Sequence, residues 1–171
     1  SVAPFIESLA RDCIDAGADA FVGHSPHVLR GVEIYDGAPI FYSLGNFSSQ
    51  SELVERLPTE IYERYDLTPD ALPDDVFDAR MFDEDGNRIG SLTNNEMYES
   101  ALPLCYYADG ELDRIEIYPI DLAKSEPRPR RGRPLRAGDD VADRILDRLS
   151  TLSEPYGTTI ERDGNIGVIT P

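Results

Sequence analysis

The fold is decided by the stretch Ala20-Phe-Val-Gly-His-Ser-Pro-His27, which contains both histidines of the chain. Residues 19–22 predict a short buried strand, and this strand runs out into a Gly-His loop. In α/β proteins such loops lie at the carboxyl edge of a sheet, where ligands are usually bound. We therefore predict an α/β fold whose functional groups gather around His24 and His27.

The two imidazoles favour a metal site as one interpretation of this loop. Neutral imidazole is a good ligand for Zn, Mn or Fe, and Pro26 between the two histidines restricts the loop. A divalent ion needs roughly four to six donors, so carboxylates elsewhere would have to complete the site. The alternative, on spacing alone, is a turn whose histidines cap backbone groups.

A helix is predicted immediately before this strand, over residues 4–16. Its broad apolar face is formed by two rows at i+4 spacing, Phe5, Leu9 and Cys13 and Ile6, Ala10 and Ile14. A helix that feeds a buried strand normally follows an earlier parallel strand, because a lone strand would leave an open sheet edge. The chain is therefore expected to begin in the middle of a fold.

Three hairpins and a second helix are predicted in the rest of the chain. Asp-Gly pairs at residues 36–37 and 109–110 mark tight turns between alternating strands. Asp139 or Asp140 is expected to cap the second helix. The predicted elements are strands 32–35 and 39–43, strands 96–108 and 112–120, a helix over 139–152, and strands 156–160 and 166–169.

A second candidate group of functional residues ends the first hairpin, at Ser43, Gly45 and Asn46. Gly45 can adopt a positive φ or let a ligand approach the backbone, and the Asn46 amide offers both a donor and an acceptor. We predict that these three residues bind substrate. The alternative is a bulge followed by a turn.

The composition limits the partners of the chain. It has 33 acidic and 16 basic residues, a net charge of -17, so nucleic acid would be repelled. Such an excess of acids favours adaptation to a saline environment, cytoplasmic or at the cell surface. No apolar run approaches the roughly 18 to 20 residues that span a bilayer. Cys13 and Cys105 have no metal-binding spacing and are predicted to be buried thiols.

Residues 48–95 have weak periodicity and are predicted to form an irregular, largely solvated acidic insertion, with a helix over 53–65 broken at Pro58. Pro69 and Pro73 interrupt its acid-rich part. The acids Asp74, Asp75 and Asp78 lack calcium-loop spacing, so a solvated face is favoured over a cation site. The loop 124–136 contains five arginines, at 128, 130, 131, 133 and 136. It could attract an anion, or it could pair with the protein's own acids.

Three motifs resemble the CapA-like poly-γ-glutamate capsule biosynthesis family. They are the Gly-His-x-Pro-His-Val loop at 23–28, the Ile-Tyr-x-Gly-x-Pro-Ile hairpin at 34–40 and the Tyr-Ser-Leu-Gly-Asn-Phe run at 42–47. They occur in this order without gaps. Weaker similarity continues through 115–122 and the terminal Tyr156-Gly-Thr segment, and residues 51–80 resemble an insertion of acidic, salt-adapted members.

The resemblance implies a calcineurin-like metallophosphoesterase fold, an α/β/β/α sandwich with a two-metal centre of Mn, Zn or Fe at the strand ends. His24 and His27 would match the last histidine motif of that centre, as metal ligands and catalytic residues, while Ser25 stands where many relatives carry another histidine. The earlier motifs of the family are missing, so residues 1–171 are expected to be the C-terminal portion of one such domain.

Three functions follow as hypotheses. The first is a metal-dependent phosphoesterase, for which this chain alone would lack most ligands. The second is a non-catalytic subunit of a capsule assembly, with capsule-synthesis proteins as partners, in which the arginine loop contacts an anionic polymer. The third is an inactive truncated product, which would have an open sheet edge and tend to form homo-oligomers.

Overall fold

A computed structural model describes residues 1–50, 54–68 and 70–171, and in this part of the chain it contains four α-helices and two β-sheets. The predicted α/β class is confirmed. The elements are α1 (Pro4–Asp15), β1 (Phe21–Val22), β2 (Val32–Tyr35), β3 (Ala38–Phe41), α2 (Thr59–Arg64), α3 (Pro73–Met81), β4 (Glu99–Ala108), β5 (Glu111–Asp121), β6 (Leu135–Arg136), α4 (Asp139–Ser153), β7 (Glu161–Asp163) and β8 (Ile166–Ile169). No helix in these residues is both long and apolar enough to cross a bilayer.

The first sheet has the strand order β1-β3-β2. β1 runs parallel to β3, and β2 and β3 form the predicted antiparallel hairpin. Asp36 and Gly37 have φ angles of 47° and 78°, as a two-residue turn of this twist requires. Helix α1 packs on this sheet through Ala10 and Ile14, which join Ile40 in one buried cluster.

The structure corrects the predicted burial of β1 and of one row of α1. β1 is an edge strand of two residues, and its Val22 side chain is 51% exposed. Phe5 and Leu9 are 70% and 48% exposed, because α1 contacts the sheet through the row that contains Ala10 and Ile14. The two cysteines, Cys13 and Cys105, are half-buried free thiols rather than fully buried ones.

The second sheet has the order β4-β5-β8-β7, and the short strand β6 also pairs with β5. The predicted hairpin between β4 and β5 is confirmed, with Asp109 and Gly110 at positive φ in its turn. Along β5 the side chains of Ile115 and Ile117 are buried. Two faces of this strand were candidates for the buried one, and the face with the isoleucines is the buried face.

Helix α4 joins the two sheets. Its buried Ile145 and Leu149 lie in one cluster with Ile115 of β5 and with Val32 and Phe41 of the first sheet. The predicted apolar stripe is confirmed, but neither aspartate caps the helix. The N-cap is Gly138, and Asp139 instead accepts a hydrogen bond from Asn165 at 2.6 Å.

The last hairpin is shorter than predicted. Residues 154–156 form a 3-10 turn rather than the start of a strand, and Gly157 follows in the left-handed region. Residues 158–160 are not in a strand either, so the strand predicted over 156–160 is wrong. The strand that pairs with β8 is β7, at Glu161–Asp163.

The described residues between 54 and 95 contain more regular structure than their sequence predicts. α2 begins directly after Pro58, and α3 carries Phe77 and Met81 into a buried cluster with Leu92, Tyr98 and Leu122. In the sequence, the apolar residues of this face stand among the acidic residues of α3. The acidic composition therefore led to the prediction of a solvated segment. Leu53, where the helix was predicted to begin, and Pro69 lie outside the described residues.

Candidate functional site

The histidine loop leaves the end of β1 in a restricted conformation. Gly23 donates a backbone hydrogen bond to Phe41 at 2.7 Å, and a Cβ atom on Gly23 would lie only 2.5 Å from the Tyr42 carbonyl oxygen. Ser25 and His27 both adopt positive φ, at 98° and 59°. Left-handed backbone at non-glycine residues costs about 1–3 kcal/mol per residue and is concentrated at functional sites. The backbone of this loop is therefore strained, and the packing around Gly23 must offset the energetic cost of that strain.

His27 is oriented by Asn46. The His27 Nδ1 atom lies 2.7 Å from the Asn46 side-chain oxygen, although 19 residues separate them. The Asn46 Nδ2 atom donates to the carbonyl oxygens of His27 at 3.3 Å and Met97 at 3.0 Å. The structure thus brings together two residues that the sequence analysis singled out independently.

This arrangement fixes the tautomer of the imidazole. Because the Asn46 amide nitrogen faces two carbonyl acceptors, the amide oxygen must be the atom that faces His27. An amide oxygen only accepts, so neutral His27 carries its proton on Nδ1. The lone pair is then on Nε2, which is free to bind a metal ion or accept a proton.

Ser43 and Gly45 lie beneath this pair. Ser43 is 1% exposed, and its hydroxyl accepts a hydrogen bond from the Gly45 amide at 3.3 Å. Gly45 has φ 76°, and an added Cβ would lie 3.0 Å from the Glu99 carbonyl oxygen. Both residues position Asn46 in this structure, and their role in binding substrate stays a prediction.

His24 and His27 line different cavities. The His24 cavity, of about 530 Å³, is also lined by Arg30, Tyr42 and apolar side chains of α1. The His27 cavity, of about 270 Å³, includes Asn46 and Arg80. The loop therefore presents its two imidazoles to separate surroundings, which the spacing of the motif did not reveal.

Comparison with known proteins matches this same part of the chain to one family. Residues 1–51 match the profile of the family described as bacterial capsule synthesis protein PGA_cap. The PGA biosynthesis protein CapA of Bacillus subtilis is 67% identical over 39 residues, 23% of this chain and 10% of that protein. Residues 1–51 are therefore similar to bacterial capsule synthesis proteins. The capsule biosynthesis protein CapA of Bacillus anthracis is 57% identical over 44 residues, 26% of this chain and 11% of that protein.

A longer match extends beyond the CapA-like segment. The uncharacterized protein y4sH of Sinorhizobium fredii is 40% identical over 171 aligned residues, which cover 98% of this chain. The chain spans 37% of the length of that relative. The similarity therefore includes α3, the second sheet and α4 as well as the CapA-like loop.

The donors available for a metal ion are few. In residues 1–50, 54–68 and 70–171, no group of three or more His, Cys, Asp or Glu side chains is arranged to hold a metal ion. The two histidines of the CapA-like loop also do not share a cavity. These residues do not fit a two-metal centre by themselves, and an ion bound to either histidine would need further donors.

Residues 73–98 contribute to the site in a way that was not predicted from the sequence. Arg80 at the end of α3, Ser91 and Met97 line the His27 cavity. The signal that could have located α3 is the apolar set Val76, Phe77 and Met81, which is spaced for one helix face among the acids.

Two of the five arginines in the arginine loop pair with acids of the chain itself, in line with one of the two interpretations of this loop. Arg128 pairs with Asp74 at 2.8 Å and with Asp78. Arg130 lies 3.9 Å from Glu126. Asp75, the third acid of the cluster, caps α3 by accepting a hydrogen bond from the Leu72 amide. Binding of an anionic polymer through the other arginines of this loop stays a prediction.

A buried polar network supports the sheet below the CapA-like loop. Glu33 is 6% exposed and pairs with Arg11 of α1 at 2.9 Å. Tyr42 donates its hydroxyl to the same carboxylate at 2.5 Å, and its ring packs on Tyr156. Burial, followed by the hydrogen bond to Glu33, raises the pKa of Tyr42 well above its usual range.

Proposed function

We propose that the chain is a CapA-like component of poly-γ-glutamate capsule biosynthesis and that His27 is a functional group of a phosphoester-hydrolysing site. The observation that carries this proposal is the hydrogen bond from His27 Nδ1 to Asn46. It leaves Nε2 as the reactive nitrogen, within residues 1–51, which match the PGA_cap family.

Two residues of the chain, Asn46 and His27, have roles in this reaction. Asn46 orients the imidazole, and His27 Nε2 is the atom that would bind a divalent ion or accept a proton. A bound Mn, Zn or Fe ion would polarise the phosphoryl oxygens. The described residues do not supply enough ligands for such an ion, so further ligands would be needed. His24, in its separate cavity, is the second candidate ligand.

The proposal is tested on the purified chain at high salt, by elemental analysis for Mn, Zn and Fe and by hydrolysis of p-nitrophenyl phosphate. Because the described residues provide few donors, we expect the wild type to bind added metal weakly and to hydrolyse the ester slowly, and we expect His27→Ala to lose both properties. His24→Ala, which alters the other cavity, shows whether the second histidine contributes. A wild type with neither metal nor hydrolysis would contradict the hydrolytic role, and a His27→Ala variant that retained both would exclude His27.

A further inference from the structure

The His27 cavity and the His24 cavity share a feature that is unusual in this acidic molecule. Each is lined by one arginine, Arg80 or Arg30, and by no aspartate or glutamate among the described residues. The His24 cavity is lined by several apolar side chains, such as Phe5, Ile6 and Phe21, whereas the His27 cavity has the polar side chains of Asn46, Ser48 and Ser91. By contrast, the cavity next to Lys124 is lined by Glu99, Asp121 and Glu126. In a chain with 33 acidic residues, a cavity that combines an arginine with no carboxylate is suited to an anion.

Arg80 is placed at this cavity by a firmly anchored helix. Phe77 and Met81, on either side of it in α3, are buried in the cluster with Leu122. Arg128 secures the opposite, acidic side of the helix through its ion pairs with Asp74 and Asp78, and its guanidinium lies 5.5 Å from the Phe77 ring centre.

Arg80 itself is available for a ligand. Its side chain is exposed, and no carboxylate in the described part of the chain forms an ion pair with it. An exposed guanidinium group without an ion pair can donate two parallel N–H hydrogen bonds, and their geometry matches the oxygens of a phosphate or a carboxylate.

The opposite wall of the cavity is tied to the arginine loop. The Ser49 amide donates to the Gly132 carbonyl oxygen at 2.8 Å. Gly132 has φ 78°, and a Cβ there would lie 1.7 Å from the Ser49 carbonyl oxygen, so only glycine allows this approach. The arginine loop therefore supports the wall that contains Ser48 and Ser49, while α3 supports Arg80.

We propose that Arg80 binds an oxyanion beside His27, so that α3 contributes the substrate-binding arginine to the CapA-like loop. This inference rests on the proposed function and deepens it by naming the recognised chemistry. The guanidinium group donates paired hydrogen bonds to the anion, and the Ser48 hydroxyl offers a further donor from the same cavity, whereas the Ser91 hydroxyl donates to the Met81 sulfur at 3.3 Å. The anion is either a phosphoryl group or the carboxylate of a γ-linked glutamate chain.

The test is an amide NMR titration of the metal-free chain in the presence of a chelator, with inorganic phosphate and with a short γ-linked glutamate peptide as separate probes. We expect one probe to bind the wild type and Arg80→Ala to weaken that binding by about tenfold or more. Arg80→Lys should retain part of the affinity, because it keeps the charge without the paired donors. Arg64→Ala, an exposed arginine of α2 with the same charge change, should bind like the wild type.

The two probes identify the source of the anion. Binding of phosphate alone assigns a phosphoryl group, and binding of the peptide alone assigns a carboxylate. The proposal is overturned if neither probe binds, if Arg80→Ala binds as well as the wild type, or if Arg64→Ala weakens binding equally. The titration excludes metal, so it is independent of the hydrolysis assay. If binding depends on Arg80 but the chain hydrolyses no ester, only the proposed function is contradicted. If the chain hydrolyses the ester but binding does not depend on Arg80, only this inference is contradicted.

Discussion

At the scale of single residues, Asn46 determines the chemistry available to His27. Replacing Asn46 by Ala removes the acceptor of His27 Nδ1 and the donor to the Met97 carbonyl oxygen. We expect the wild type to show the Nδ1-protonated tautomer in imidazole nitrogen NMR spectra at a pH where the ring is neutral. The variant should lose this fixed preference and about 1 kcal/mol of unfolding free energy.

The chain has two histidines, so their signals are assigned by comparison with His24→Ala. A wild type in which neutral His27 is protonated on Nε2 would show that the Asn46 contact does not orient the ring.

Gly23 tests the close packing under the histidine loop. An alanine Cβ would lie 2.5 Å from the Tyr42 carbonyl oxygen, so β1 and β3 would have to move apart. We expect Gly23→Ala to lower the free energy of unfolding by roughly 1–3 kcal/mol in urea titrations. Ser8→Ala on the exposed side of α1 is the control and should change it by less than about 0.5 kcal/mol. Equal stability of the two variants would argue against this packing.

The sequence was sufficient to identify His24, His27 and Asn46 as individual candidates. It could not predict which of them touch, because the contact between His27 and Asn46 depends on the path of the loop and on the bridge between Leu29 and Leu44. Arg80 was missed for a similar reason. It reaches the site only through the packing of α3, which no local pattern around residue 80 encodes.

At the scale of elements, the Tyr42 network ties α1 to the first sheet. Tyr42→Phe removes a buried hydrogen bond to an ionised carboxylate, so we expect a loss of about 1.5–3 kcal/mol of unfolding free energy near pH 8. The folded-state pKa of Tyr42 is raised above the ordinary value of about 10, so folding favours the protonated phenol. Its contribution is complete below pH 10 and declines as the pH rises above that value.

Urea titrations at pH 8, 10 and 11 check this expectation. The difference in stability between wild type and Tyr42→Phe should shrink at the highest pH, while Tyr156 and the other tyrosines cancel in the comparison. A difference that stayed constant or grew with pH would show that Tyr42 does not fold in its protonated form beside Glu33.

The elements with strong local signals were predicted correctly. α1 and α4 have regular apolar rows, and the Asp-Gly pairs at 36–37 and 109–110 fix the register of two hairpins. β1 was predicted to be buried because its residues are apolar, but the edge position that exposes it is a property of the sheet. α3 was missed because its acids dominate the local composition, and their partner, Arg128, lies about 50 residues away.

At the scale of the whole molecule, the charge distribution and the family match both direct attention to the surroundings of His27. The chain carries a net charge of -17, yet the described residues that line the cavity beside His27 include an arginine and no carboxylate. The match to the PGA_cap family covers residues 1–51, and it ends before the helix that supplies Arg80. The proposed anion site therefore combines the histidine loop with a second segment of the chain.

The most direct test follows both histidine rings by NMR while inorganic phosphate is added to the metal-free chain at 0.5 M NaCl, where screening limits general repulsion. With two histidines in separate cavities, each ring reports on its own surroundings. We predict a saturable shift of the His27 ring and little change at His24. A shift at His24 alone, or no shift at either ring, would contradict the assignment of the oxyanion site to the His27 cavity.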